Sequence, residues 1–168
     1  MNIESITATQ YLAVADRAIQ NGADRPQFKE LSKELERIPE TRQRLAFEFL
    51  DLASHCVRSC EEPARFLGLA AAFYDSVEGE RRQEFSSQVE STLMKYFDTL
   101  PNGATPSAVT LSMGFLAIGK FSKEKLLALL NNLMSQCSGS DPRRDVIVRA
   151  KQILSQRRRP TGTSGDQP

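Results

Sequence analysis

Apolar residues recur at spacings of three and four along nearly the whole chain, and no stretch alternates with period two over strand-forming residues. This one pattern removes sheet architectures and leaves helices packed on helices. The punctuation agrees with it. Pro and small polar residues open the periodic segments, and Gly closes them. A first helix is expected over Ser5 to Asn21, with Ile6, Leu12, Ala15 and Ile19 inward and Gly22 as its stop. Asp24 and Pro26 open a second, striped by Phe28, Leu31, Leu35 and Ile38. Pro39 opens a third, where Leu45, Phe49, Leu52 and Cys56 recur on one face.

Glu61, Glu62 and Pro63 start a fourth helix, with Phe66, Leu69, Ala70, Phe73 and Val77 inward and Gly79 as its end. A fifth runs from about Glu80 to Leu100 along Phe85, Val89, Leu93, Tyr96 and Phe97. After the loop LPNGATPS, Thr105 and Pro106 open a sixth, ending near Ile118, which is the most apolar of the set. Ser122 caps a seventh, rich in Leu from Leu126 to Leu133. Asp141 and Pro142 open an eighth, with Val146, Ile147, Ala150, Ile153 and Leu154. The expectation is an all-α single domain of about seven to eight helices over residues 1–156. Either a closed helical bundle or a short solenoid-like stack of helical hairpins satisfies it. Residues 157–168 read as a basic, then polar, disordered tail.

Of the 168 residues, 40% are apolar and 26% charged, the balance of a globular chain with a real core. No apolar run reaches the roughly 20 residues of a membrane span. The N-terminal MNIESITATQ has no basic start and no apolar centre, so it does not read as a Sec-type signal peptide. Its polar composition is that of a segment exported into a host cell by a non-Sec route, the alternative to a cytoplasmic location. Three cysteines point to free thiols in a reducing, cytoplasmic compartment. Charge is unevenly placed. Residues 1–142 hold 15 basic against 19 acidic side chains, or −4, and residues 143–168 hold 7 against 2, or +5.

Three places invite a chemical reading. The stretch SHCVRSC, residues 54–60, contains the only His and two of the three Cys. On a helix, Cys56 continues the inward stripe. His55 lies about 100° away, facing solvent with Glu48, Asp51 and Ser59. The two therefore point apart, and neither a metal site nor a nucleophilic dyad is expected. Residues Gly114 to Phe121 carry the Gly-x-x-x-x-Gly-Lys skeleton of a phosphate loop. Phe121 stands where Mg²⁺ coordination needs Ser or Thr, and no strand precedes it. The third place is basic: Arg143, Arg144, Arg157, Arg158 and Arg159 are the residues offered for contact with a partner or with phosphate.

No catalytic residue, cofactor or metal ligand is assigned. The function read from the sequence is a non-catalytic helical protein–protein interaction domain, adaptor or regulatory, binding a partner protein through a groove or an apolar helix surface; a homo-oligomer also fits. The alternative is a nucleic-acid-binding protein using the basic C-terminal helix and tail. An enzyme built from scattered carboxylates is a third reading.

Overall fold

A computed structural model of the chain describes residues 2–99, 107, 110, 111, 113, 114, 123–141 and 143–156. These form seven α-helices: α1 (Ala8–Gln20), α2 (Arg25–Leu35), α3 (Pro39–Arg58), α4 (Ala64–Phe73), α5 (Arg81–Thr99), α6 (Lys123–Ser135) and α7 (Arg143–Gln156). Short 3₁₀ turns at Gly22–Asp24 and Tyr74–Ser76 follow α1 and α4. Thr110, Leu111, Met113 and Gly114 are also helical. They represent the sixth expected helix, the rest of which lies outside the described residues. No strand occurs among the described residues.

Packing follows chain order. The first two helices pack on each other and on α3, α3 packs on α4 and α5, α5 on α6, and α6 on α7. A single apolar cluster runs through all of them, from Ile6 to Ile147. The centre is α3, which buries Leu45, Ala46, Phe47, Phe49, Leu50, Ala53, Cys56 and Val57. That set spans far more of its circumference than the narrow stripe expected from Leu45, Phe49, Leu52 and Cys56. A helix with neighbours on several sides must be apolar on several sides.

Tyr11 joins the first four helices. Its ring meets Phe28 of α2 at 5.6 Å, Phe49 of α3 at 5.8 Å and Phe73 of α4 at 5.3 Å, each edge-to-face. This fixes the rotation of α1 and corrects its expected face. Tyr11, Val14 and Ala18 are buried, Leu12 and Ala15 are half-buried, and Ile19 is 75% exposed. The helix also starts later than Ser5. Thr7 and Gln10 form a capping box, each side chain accepting the other's backbone N–H.

A cap, a boundary and a buried face also differ from expectation. Asp24 makes no side-chain cap on α2; the side chain of Asn21 instead accepts the Ala23 N–H of the 3₁₀ turn. The fourth helix stops at Phe73, and the 3₁₀ turn brings Tyr74 into the core before Gly79 is reached. Phe66 and Leu69, expected inward on α4, are half-buried, while Leu67 and Ala71 are buried. By contrast Phe85, Val89, Leu93, Tyr96 and Phe97 of α5 are all buried, as the spacing predicts.

Candidate functional site

The SHCVRSC stretch is the C-terminal end of α3. His55 is exposed and Cys56 buried, so the adjacent pair diverges as the helix phase requires. Arg58 is the last helical residue, and Cys60 takes a left-handed conformation at φ 57°. The Glu61 N–H donates to the Cys56 carbonyl at 2.8 Å and the Cys60 N–H to the Val57 carbonyl at 3.1 Å. This is a Schellman-type stop with Cys where Gly is usual. Burial pushes the Cys56 thiol up, and the Glu61 carboxylate pushes it the same way. A thiol held protonated is a poor nucleophile. Cys137 is also buried and raised by burial, and its thiol donates to the Leu133 carbonyl at 3.3 Å. The phosphate-loop resemblance falls mostly on residues outside those described. Gly114 itself is helical and packs against Leu93.

The basic C-terminal residues divide into different roles. Asp141 accepts the Arg143 N–H at 3.0 Å and caps the start of α7. Its carboxylate also receives the Arg143 guanidinium, with Nε 2.9 Å from each oxygen and a further contact from a terminal nitrogen. The same guanidinium lies 4.7 Å from the centroid of Phe97, and the side chain is only 15% exposed. Hydrogen bonds from Arg143 hold the Asp141 carboxyl below its ordinary range, and those bonds raise Arg143 in turn. Any phosphate at Arg143 therefore competes with Asp141. Arg144 is half-buried and Arg149 exposed. Lys151 donates to Asn131 of α6 at 2.7 Å. Beside them Val148 is 37% exposed, and it and Ile19 are the two large apolar side chains in the open among the described residues. Arg157, Arg158 and Arg159 lie outside the described residues.

Two polar arrangements were not read from the sequence. One is a clasp on α3 around the N-terminal segment. Arg44 donates to the carbonyls of Glu4 at 3.0 Å and Ile6 at 2.8 Å, and pairs with Glu48 at 2.6 Å. Thr41 donates to the Glu4 carbonyl at 3.2 Å, and Glu48 accepts the Ala8 N–H at 2.6 Å. Glu48 was expected on a solvated face with His55; it instead serves the N-terminus of α1, where a carboxylate is favoured. The Arg44–Glu48 spacing of four is visible in the sequence, but its backbone targets are some 40 residues away. The other is a set of guanidiniums over rings: Arg42 on Phe73 at 5.7 Å, Arg81 on Phe47 at 4.2 Å and Arg82 on Tyr74 at 5.6 Å. These cover the aromatic core near the start of α5.

No group of three or more His, Cys, Asp or Glu is arranged to hold a metal ion among the described residues. Nor is any helix among them long and apolar enough to cross a membrane. Comparisons with family models, curated proteins and solved structures give no match.

Proposed function

We propose that the chain is a non-catalytic helical protein–protein interaction domain whose partner presents an acidic surface to the outer face of α7. The observation carrying this reading is Val148, exposed on α7 between Arg144 and Arg149 while its neighbour Ile147 is fully buried. The burial of Ile147 fixes the rotation of α7. The helix therefore turns an apolar side chain flanked by cations away from the core. An apolar side chain beside two cations, with the exposed Asp145 about one turn before it, suits a protein surface of mainly opposite charge. In sequence, residues 143–168 carry a net charge of +5, the sign that an acidic partner complements.

The test is affinity capture with the full chain, with a chain ending at Gln156, and with a full chain carrying Val148→Asp and Arg149→Glu. Both positions are exposed, so each change should alter stability by about 0.5 kcal/mol or less. A specific protein recovered by the first two and lost with the double variant supports the reading. Nucleic acid recovered only by the full chain, in a salt-sensitive manner, moves the function to the basic tail.

A further inference from the structure

We infer that residues 2–6 form a strap that opens as a unit over a cleft on α3, independently of the helical body and of the α7 reading. The segment is fastened in an unusual way. Its carbonyls at Glu4 and Ile6 are held by side chains, Thr41 and Arg44, rather than by a backbone ladder. Its own backbone bond is a single turn, from the Ile6 N–H to the Ile3 carbonyl at 3.3 Å. Two apolar side chains anchor it: Ile6 is fully buried and Ile3 half-buried against the core. On its open side lies a shallow depression of about 460 Å³, lined by Asn2, Ile3, Glu4, Glu34, Arg37 and Ile38.

The hinge is Thr7, in extended conformation at φ −93° and ψ 162°. It closes the α1 capping box with Gln10, and Glu48 separately holds the Ala8 N–H. The first turn of α1 is therefore secured without the strap. Lifting residues 2–6 breaks the three bonds to Thr41 and Arg44 and leaves every helix capped as before. Segments held by few contacts beside a well-packed body open below the global unfolding free energy. What opening bares is specific. The Ile6 socket stands empty, and the Arg44 fork and Thr41 hydroxyl are left as donors for backbone carbonyls. Those are the requirements of a peptide that makes a tight turn with isoleucines three residues apart, the pattern the strap itself supplies.

Amide exchange of the full chain in a urea series tests the strap. The Ile6 amide should exchange about 100-fold faster than those of Phe49 and Leu50, with a urea dependence smaller than theirs but not zero, since lifting the strap exposes the buried Ile6. In Arg44→Met that ratio should widen at least about tenfold, since both hydrogen bonds from a charged donor to the strap are lost. Exchange of Ile6 at the rate and urea dependence of the α3 amides overturns the strap, because release then requires global unfolding. The cleft is tested in the full chain carrying Ile6→Ser, whose strap no longer fills the socket. Added synthetic peptide with the sequence of residues 2–7 should shift the Thr41 and Leu45 resonances saturably, and less so in Ile6→Ser with Arg44→Met. A folded Ile6→Ser chain showing no shift overturns the cleft.

Discussion

At the end of α3 the Cys56 carbonyl accepts the Ser59 N–H and, because the chain turns left-handed at Cys60, the Glu61 N–H as well. A side chain with a Cβ resists that conformation; glycine does not. Cys60 is exposed, so its thiol contributes no core packing in return. Cys60→Gly should therefore stabilise the protein by about 1 kcal/mol, the steric relief less the added freedom of glycine in the unfolded chain. The check is the urea midpoint at unchanged slope. Unchanged or lower stability would mean that the thiol makes a contact outweighing the strain. Cys56, four residues earlier, sits on the other side of this balance: it is buried, and its periodic spacing placed it there. The left-handed turn at Cys60 was not legible, because Schellman stops are recognised by Gly and this one lacks it.

At the scale of elements, local chemistry was legible and rotation was not. Five of five inward positions named on α5 are buried, because α5 has one apolar stripe and one way to face the core. The first helix has apolar residues on two faces, and periodicity alone cannot rank them. The choice is made by Tyr11, whose ring fits among Phe28, Phe49 and Phe73, three side chains from three other helices. The clasp on the N-terminal segment was invisible for the same reason: Arg44 reads backbone carbonyls, which carry no sequence signature. Gly114 lies against Leu93 of α5, and its surroundings support a sharp expectation. A Cβ there would lie 2.6 Å from Leu93 Cδ1 and 2.8 Å from Leu93 Cγ. Gly114→Ala should cost about 1–3 kcal/mol through overpacking, despite the better helix propensity of Ala. Gly22→Ala, where an added Cβ meets nothing within 4 Å, should shift the thermal midpoint little. Equal effects at the two sites would refute the close approach.

Over the whole molecule, packing in chain order raises the question of cooperativity, since arrays of neighbour contacts can unfold in parts. The aromatic clusters argue for one unit. Tyr11, Phe28, Phe49 and Phe73 tie α1 to α4 together, with Phe49 and Phe73 stacked at 5.7 Å. Phe85 of α5 bridges onward, touching Phe47 of α3 at 5.5 Å and Tyr74 at 5.8 Å. A second link between the halves is polar: the Ser54 hydroxyl donates to Thr92 Oγ1 at 2.8 Å, which in turn donates to the Gln88 carbonyl. The ring resonances of Tyr11 and Tyr96 should therefore disappear at the same urea concentration, one probe in each half. Phe85→Ala should cost about 3–5 kcal/mol, as for a fully buried aromatic, and should weaken the bridge more than either half. The two midpoints are then expected to separate, with Tyr96 lost first, because α5 loses the ring that joins it to Phe47 and Tyr74 while the Tyr11 cluster keeps all four rings. Coincident midpoints in the variant would show that the continuous aliphatic core, and not the aromatic bridge, couples α1–α4 to α5–α7.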